Sequence, residues 1–393
     1  MNEFLRRAKE LEHQMQKDRR YLHQHAEAGE HLPGTTKYVM ERLSSIGLSP
    51  REICDSGITA LIEGSCPGKT ILLRADMDAL PMKEMNSLPF QTVTEAAHNC
   101  GHDIHTAMLL AAAQILHERR DELCGSVKLM FQPAEEIFTG AQAMIDAGVM
   151  ENPHVDAALA THIASSGLPC GMISYKEGPS GASADMFTIT IKGKGGHGAY
   201  PHAAVDPVNI GAHVVLTLQE LVSREVNPLE PCVLTIGAFQ AGDAGNILPE
   251  SAVLRGSIRT FNNDVRNFIK QRTVELCEDT AKKFRAEAKV EFTSGVCPLI
   301  NDGEFTREIV GYLGDLVPAD KLCTREPEMG SEDFALVTQM VPATFLYLGA
   351  EVEDPAQVRR GHNPNVLFNE DCFHLGTAAL AHCAIQWLDR HSN

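Results

Sequence analysis

The stretch AHNCGHDIHTAMLL, residues 97–110, places a thiol, two imidazoles and a carboxylate within six consecutive positions. These side chains belong to Cys100, His102, Asp103 and His105. Gly101 lies between the first two, where the lack of a Cβ lets the backbone turn sharply. Thiolates and neutral imidazoles bind borderline-soft divalent metals. The stretch therefore predicts a metal site at the start of a helix, although a buried cysteine followed by a helix cap at Asp103 is the simpler explanation of an isolated C-x-H.

Composition and charge limit the classes of partner and compartment. The chain has 393 residues, of which 22% are charged and 44% hydrophobic, as in a soluble globular protein of two or more domains. Its formal net charge of −18 argues against a nucleic-acid or anionic-membrane partner. The 11 cysteines are scattered and odd in number, and the charged N-terminal segment predicts neither a signal peptide nor a membrane span. We therefore expect a cytoplasmic protein.

Three short apolar runs predict buried strands, and helical segments separate them. The runs are residues 70–75, 126–132 and 155–161. This β-α-β-α-β order is typical of a mostly parallel sheet with helices on both faces. The polar residues that follow the runs are Asp76 and Asp78, Glu135 and Glu136, and His162. Because functional groups gather at the carboxyl ends of such strands, we expect these side chains to share one edge of the sheet.

From about Ser183 the order of elements changes. The predicted elements are a strand at 186–191, a helix at 206–222, strands at 233–239 and 252–260, and a helix at 265–286. This succession is typical of a compact β-α-β-β-α-β, or ferredoxin-like, α+β domain. We therefore predict an α/β chain in which 1–180 and 294–393 form one domain and 181–293 form an inserted one. The G-x-G-x-x-G at 193–198 lacks the following helix that a dinucleotide site needs.

Taken together, the candidate ligands predict a dinuclear metal centre with a mixed sulfur, nitrogen and oxygen shell. The candidates are Cys100, His102, Glu135 or Glu136, His162 and His362. Paired ions commonly lie roughly 3.5–4 Å apart and lower the pKa of bound water toward about 7. One of two adjacent glutamates can bind metal while its neighbour accepts the proton of the water. Taken alone, the glutamate pair is explained equally well by a charged helix N-terminus, and each histidine by a hydrogen-bonded loop.

The chain resembles the M20 metallopeptidase family, in particular its amidohydrolase subgroup of aminoacylases, hippurate hydrolases and auxin-conjugate hydrolases. The resemblance covers nearly the whole chain and rests on eight motifs in order. The motifs are LRADMDALP (73–81), CGHDIHTAMLL (100–110), FQPAEE (131–136), GKGGHGAYPH (193–202), DPV (206–208), NILP (246–249), MGSEDF (329–334) and HNP (362–364). It implies a metallo-exopeptidase-like catalytic domain with two divalent ions per subunit, of which Zn, Mn, Co and Ni all suit the ligands.

Carried over residue by residue, the resemblance also implies roles for single side chains. The implied metal ligands are Cys100, His102, Glu136, His162 and His362. Glu135 would be the general base, and Asp78 would orient a ligand histidine. Where the family often has glycine after the paired glutamates, this chain has Ile137, which puts the substrate preference in doubt rather than the activity.

The inserted domain would be the lid and dimerisation domain of that family, so we expect a homodimer. His197 would polarise the scissile carbonyl in the active site of the second subunit. Asn246 and Arg259 would bind the substrate carboxylate, for which a guanidinium is suited through bidentate pairing. The structural alternatives are an exposed strand residue for Arg259 and a turn residue for Asn246.

These inferences lead to one predicted function and two alternatives. We predict metal-dependent hydrolysis of the amide bond of N-acyl amino acids or related conjugates, with metal-bound hydroxide as nucleophile and Glu135 as general base. A dipeptidase or carboxypeptidase of the same superfamily is the near alternative. A non-catalytic protein stabilised by metal is the alternative from another class, and the complete set of Glu135 and ligands argues against it.

Overall fold

The computed structural model describes residues 2–392 and divides them into two compact units. The first unit comprises residues 2–178, 300–326 and 336–392, and the second comprises Pro179–Leu299 and Pro327–Ala335. The division predicted from sequence differs at its boundaries, since it leaves residues 179–180, 294–299 and 327–335 with the first domain. No helix within residues 2–392 is long and apolar enough to cross a membrane.

Helices account for much of the first unit and cover the sheet of the second. The helices within residues 2–392 are α1 (Glu3–Glu10), α2 (Glu12–Gln24), α3 (Pro33–Ser45), α4 (His102–Glu118), α5 (Gly140–Asp146), α6 (Pro207–Glu220), α7 (Asn263–Lys283), α8 (Gly303–Leu313), α9 (Ala335–Thr338) and α10 (Phe373–Arg390). The single helix predicted for residues 2–27 is divided at Leu11 into α1 and α2.

Within residues 2–392, the strands form an eight-stranded sheet, a four-stranded sheet and two two-stranded sheets. The strands are β1 (Arg51–Cys54), β2 (Gly57–Glu63), β3 (Cys66–Asp76), β4 (Cys124–Gln132), β5 (Ala157–Pro169), β6 (Ile173–Tyr175), β7 (Gly178–Gly181), β8 (Ala184–Lys192), β9 (Gly196–His197), β10 (Cys232–Gln240), β11 (Ile247–Leu248), β12 (Ser251–Thr260), β13 (Glu287–Val296), β14 (Leu299–Asn301), β15 (Leu322–Thr324) and β16 (Ala343–Glu351).

The large sheet has eight strands in the order β1-β2-β4-β3-β5-β16-β6-β15. Its centre is parallel, because β3 pairs in parallel with β4 and β5, and β5 pairs in parallel with β16. The central strands are buried on both faces, which explains their near-continuous apolar sequences. The carboxyl ends of β3 and β4 therefore lie side by side, with Asp76 paired to Gln132. The mostly parallel α/β fold predicted from sequence is confirmed.

The second unit contains a four-stranded antiparallel sheet in the order β10-β12-β8-β13. Helix α6 follows β8 and α7 follows β12, so the chain order is β-α-β-β-α-β. Apolar residues from both helices and from alternate positions of the strands form a separate core, which includes Phe187, Leu218, Leu254 and Ile269. This is the ferredoxin-like arrangement predicted for the inserted segment.

Two sequence-based interpretations need correction. We predicted that a strand ends at Thr161 and that His162 directly follows it, but β5 continues to Pro169 and His162 lies within it, opposite Tyr347. Pairing with β16 maintains the strand there, and a partner so distant in sequence leaves no local signal. The cysteines also include a disulfide that the sequence did not indicate, between Cys66 and Cys124, whose Cα atoms lie 4.8 Å apart. The cytoplasmic location inferred from the cysteine pattern stays a prediction.

Candidate metal centre

The first turn of α4 is set by a glycine that no other residue can replace without strain. Gly101 caps the helix in the left-handed region, at φ +96°. A Cβ there would lie 2.4 Å from the side chain of Ile163. Both the backbone conformation and the close approach therefore require glycine. The helix begins at His102, so Asp103 lies inside the first turn and is not the cap considered from sequence.

The five candidate ligands lie together at the carboxyl edge of the large sheet, and we call them the ligand cluster. Its members are Cys100, His102, Glu136, His162 and His362. The ligand atoms of Cys100, His102 and His162 lie within 4.8 Å of one another, as do those of Cys100, Glu136 and His362. Sulfur, imidazole nitrogen and carboxylate oxygen thus converge from the start of α4, the end of β4, the middle of β5 and a late loop.

Glu135 lies beside the ligand cluster. Its Oε2 is 4.0 Å from His102 Nε2, and the Oε1 of its neighbour Glu136 is 3.9 Å from the same nitrogen. The side chain of Glu135 is buried. The preceding residue, Ala134, adopts a left-handed conformation at φ +54°, in which a residue other than glycine is strained. The turn after β4 therefore directs two adjacent carboxylates toward one imidazole.

Asp78 organises this turn through its carboxylate. Its Oδ1 accepts the backbone N–H of Glu135 at 3.0 Å, and its Oδ2 accepts that of Glu136 at 3.1 Å. The Nδ1 of His102 lies 2.8 Å from the backbone carbonyl oxygen of Asp78 and 3.5 Å from its carboxylate. A single residue thus orients a candidate ligand with its backbone and both glutamates with its side chain.

The other two histidines of the ligand cluster are held by main-chain contacts. His162 donates from Nδ1 to the carbonyl oxygen of Ile163 at 2.7 Å, which leaves Nε2 facing the sulfur of Cys100 at 3.5 Å. His362 is exposed and has a left-handed backbone at φ +66°, and its N–H donates to the carbonyl oxygen of Asn99 at 2.9 Å. Its Nε2 lies 3.4 Å from Glu136 Oε2.

The pKa values in the ligand cluster follow from burial and from neighbouring charges. Burial raises the pKa of the Cys100 thiol to about 12. Burial holds the pKa of His162 well below its ordinary value. Burial alone would raise the pKa of Glu136, but the hydrogen bond from His362 and the interactions with His102 and Cys100 together outweigh it, and the pKa is lowered. Neutral imidazole and ionised carboxylate are the forms that bind metal, whereas the thiol must lose its proton to do so.

Two buried polar atoms of the ligand cluster lack a hydrogen-bond partner among the residues that the structure describes. Within residues 2–392, neither His102 Nε2 nor Glu136 Oε1 has a hydrogen-bond partner. An unsatisfied buried polar atom costs about 1–3 kcal/mol, so native proteins rarely retain one without compensation. A soft-to-borderline divalent ion would satisfy both atoms, and the sulfur, imidazole and carboxylate donors are the types that such ions take. The residues therefore fit the divalent metal that the sequence predicted.

Comparison with known proteins supports this interpretation. The model of the peptidase family M20/M25/M40 matches residues 72–386. The chain belongs to this family. It is 37% identical to an N-acetyl-L-cysteine deacetylase of Bacillus subtilis, over 87% of this chain and 81% of that protein. It is 34% identical to the IAA-amino acid hydrolase ILR1-like 4 of Arabidopsis thaliana, over 94% of this chain and 84% of that protein.

A solved structure gives the same assignment. The YXEP protein of Bacillus subtilis, described as a dinuclear metal-binding peptidase from the M20 family, superimposes with a TM-score of 0.83 at 31% identity. The match covers 97% of this chain and 99% of that one. The resemblance inferred from the eight motifs is confirmed, and the chain is an enzyme of the M20 family that depends on divalent metal.

Another group beside the ligand cluster contains residue types that can bind metal, but their ligand atoms already make hydrogen bonds within the protein. Asp76 accepts from Arg74 Nη1 at 2.6 Å and lies 2.5 Å from His105 Nδ1. His105 Nε2 in turn accepts the N–H of Ile163 at 2.8 Å. These residues support the M20 centre rather than add a ligand. Sequence reasoning named Asp76 and His105 but did not connect them, although His105 lies one helical turn after His102 on the same face of α4.

The remaining predicted site residues of this M20 enzyme lie in the second unit. His197 and Asn246 meet in a small two-stranded sheet, where Ile247 pairs with His197 and Gly198 donates to the carbonyl oxygen of Asn246 at 2.8 Å. Both side chains are exposed. Arg259 Nη1 donates to the carbonyl oxygen of Met329 at 2.7 Å and to Ser331 Oγ at 3.0 Å. The structure thus brings His197 and Asn246 together and holds Arg259 against the segment 327–335.

Proposed function

We propose that this enzyme hydrolyses the amide bond of N-acyl amino acids or closely related amino-acid conjugates, with Glu135 as the general base. The observation that carries the proposal is the pair of hydrogen bonds that the Asp78 carboxylate accepts from the backbone N–H groups of Glu135 and Glu136. It fixes a buried carboxylate beside, but outside, a set of metal-ligand atoms. Amide hydrolysis needs such a base next to the group that activates water.

We propose that the ligand cluster holds two divalent ions, drawn from Zn, Mn, Co and Ni. Cys100 and His162 are within reach of one position, while Glu136 and His362 are within reach of another. His102 Nε2 and Glu136 Oε1 supply donor atoms that have no protein partner within residues 2–392. Ions bound there supply Lewis acidity toward the carbonyl oxygen and lower the pKa of water.

Glu135 would move the proton during the reaction. Its carboxylate accepts a proton from the attacking water and passes it to the leaving amine, so one residue serves as base and then as acid. The hydrogen bond to Asp78 holds the backbone of Glu135 in place during both transfers. Burial of the Glu135 side chain limits exchange of that proton with bulk water.

The second unit would complete the site as a lid and as the contact between two copies of the chain. We propose that His197 polarises the scissile carbonyl and that Asn246 and Arg259 bind the substrate carboxylate. The exposed positions of His197 and Asn246 on one small sheet support a role in contacting a molecule outside the unit. Sedimentation of the purified chain tests the dimer, which we expect at micromolar concentration.

The substrate class is supported by the relatives. One is named a deacetylase of N-acetyl-L-cysteine and another a hydrolase of IAA-amino acids, and both names describe an acyl group on an amino acid. A panel of acetyl-, benzoyl- and indoleacetyl-amino acids beside dipeptides, with and without chelator, tests the proposal. We expect faster hydrolysis of at least one N-acyl amino acid than of the dipeptides, and loss of activity with chelator. Hydrolysis of dipeptides alone would contradict the substrate class.

The role of Glu135 is tested by Glu135→Gln. We expect kcat to fall by about 10²–10⁴-fold because the proton acceptor is lost. Elemental analysis should show unchanged metal content, because Glu135 is not among the proposed ligands. The matched control is Glu220→Gln, which changes an exposed glutamate of the second unit whose side chain is 70% accessible. A kcat within tenfold of wild type would contradict the assignment.

A further inference from the structure

A second cavity lies in the first unit, far from the ligand cluster. Its volume is about 660 Å³, within the range of small-molecule sites. It lies against β1, β2 and β4 and reaches His117 at the carboxyl end of α4. His117 is 15 residues after His102, so about 22 Å of helix separates the cavity from the ligand cluster. None of the residues that line it belongs to the proposed catalytic machinery.

The charged residues that line this cavity are mainly basic, although the whole chain is acidic. They are Arg51, His117, Arg120 and Lys128, with Glu63 and Glu151 as the opposing carboxylates. Within residues 2–392, no carboxylate lies within ion-pair distance of Arg51 or Arg120. The only side-chain hydrogen bond from these two arginines within that range is from Arg120 Nη1 to the carbonyl oxygen of His117, at 2.9 Å. Most of their N–H groups are therefore available to a ligand.

Lys128 forms the inner, positively charged part of the cavity. Its side chain is buried, and Nζ donates to the carbonyl oxygens of Val149, Glu151 and Pro153 at 2.7–3.0 Å. These three bonds use all its donors, so Lys128 contributes charge rather than a contact. Burial lowers its pKa to about 8, Glu151 opposes that shift, and Arg51 adds to it.

Apolar side chains form the rest of the lining. Leu48, Ile62 and Val149 are buried residues that line this cavity, and their side chains carry no hydrogen-bonding group. A ligand that fits both parts needs an anionic group for the arginines and an apolar body for the remaining wall. Guanidinium groups bind carboxylates in a bidentate manner, which favours a carboxylate as the anionic group.

We propose that this cavity is a binding site for small carboxylates with an apolar body, separate from the catalytic centre. The carboxylate pairs with Arg51 and Arg120, and the apolar body lies against Leu48 and Val149. The proposal does not depend on the proposed function, because no catalytic residue takes part.

Calorimetric titration of the metal-loaded enzyme with phenylacetate tests the site. We expect Arg51→Gln/Arg120→Gln to lose one binding site per chain or to weaken it at least tenfold, with kcat/KM unchanged. Arg6→Gln/Arg224→Gln removes the same charge from exposed arginines elsewhere and should bind as the wild type does. An unchanged isotherm for Arg51→Gln/Arg120→Gln would overturn the proposal, whether or not phenylacetate also binds at the catalytic centre.

Two further measurements keep the proposal falsifiable. Ser49→Trp narrows the cavity without changing its charge and should also lose the site, so retained binding would show that the arginines act outside the cavity. Inorganic phosphate, an anion without an apolar body, should bind at least tenfold more weakly than phenylacetate. Equal binding of phosphate would identify a site for bare anions and overturn the assignment to carboxylates of this class.

Discussion

Two neighbouring residues of α4, His102 and Asp103, are both completely buried and belong to clusters of opposite character. His102 is in the ligand cluster, where its Nε2 has no hydrogen-bond partner within residues 2–392. Asp103 is in a second cluster, which we call the α2 clamp and which consists of Arg19, His23, Glu84 and Asp103. There Asp103 Oδ2 lies 2.9 Å from Arg19 Nε and 2.8 Å from His23 Nδ1.

The comparison shows that buried histidines and carboxylates do not by themselves mark a functional site. In the α2 clamp, His23 lies between two carboxylates, with Nδ1 facing Asp103 and Nε2 facing Glu84 at 3.1 Å. Both ring nitrogens of His23 therefore have hydrogen-bond partners, and the cluster joins α2 to α4. In the ligand cluster, donor atoms remain unused. Unused capacity in a buried site indicates a missing partner, and used capacity indicates a structural role.

The largest expected effect is the difference in the free energy of unfolding between Asp103→Ala, in the α2 clamp, and His102→Ala, in the ligand cluster. Asp103→Ala removes the buried carboxylate that contacts both Arg19 and His23, so we expect the free energy of unfolding to fall by about 3–5 kcal/mol. His102→Ala should abolish metal binding but destabilise the metal-free protein less, because it removes a group that is not fully paired. Denaturant unfolding with chelator present measures both variants.

The comparison would fail if His102→Ala destabilised the metal-free protein as much as Asp103→Ala does. That outcome would mean that the ligand cluster is as important as the α2 clamp for folding. Metal retained by His102→Ala would separately contradict the assignment of His102 as a ligand.

Asp78→Asn should have an intermediate effect, which lowers metal affinity or activity and is confined to the ligand cluster. The amide can accept only one of the two N–H bonds that now fix Glu135 and Glu136, because its nitrogen is a donor. Loss of such outer contacts typically costs 10–100-fold in metal affinity or activity, and we expect a change of about that size. Competition with a metal-binding dye measures it. Asp156→Asn is the control, since Asp156 also accepts a backbone N–H, from Thr70, away from the cluster.

His23→Gln should lower the free energy of unfolding by the smallest amount, and this loss should depend on pH. Burial alone would lower the pKa of His23, but hydrogen bonds to Asp103 and Glu84 outweigh it and raise the pKa above its ordinary value. The stabilisation by charged His23 is thus complete below about pH 6.5 and is lost as pH rises through the pKa of the folded state. We expect a loss of about 1–2 kcal/mol at low pH that shrinks at high pH.

Urea unfolding of wild type and His23→Gln at about pH 6 and about pH 9 measures this difference, the two values lying on either side of the ordinary histidine pKa. A difference that is constant, or that grows with pH, would show that His23 is not held as a cation.

Much of the fold could be predicted from local sequence. The strands at 70–75 and 126–132 were predicted because strands buried on both faces are apolar throughout. The strands β1, β6 and β15 were not predicted, since they lie at or near the edges of the sheet and have only three or four residues each. The apolar run of β2, residues 57–63, was also missed. The length of β5 was also missed, because β16, some 180 residues later in the chain, is its partner.

The sequence by itself determined which residues are chemically able to bind metal. Cys100, His102, Glu136, His162 and His362 were named from residue type, from position after predicted strands and from the family resemblance. It also determined Gly101, because a short turn between two such side chains needs a residue without a Cβ.

Only the tertiary structure decided which buried groups are left with free bonding capacity. His102 and Asp103 are neighbours in sequence, and His105 follows within one helical turn, so no local pattern separates their roles. Their partners come from α2, from β3 and the residues just after it, and from β5, which are distant in sequence. Hydrogen bonds act only over about 3 Å, and whether an atom has a partner is therefore a property of the folded chain.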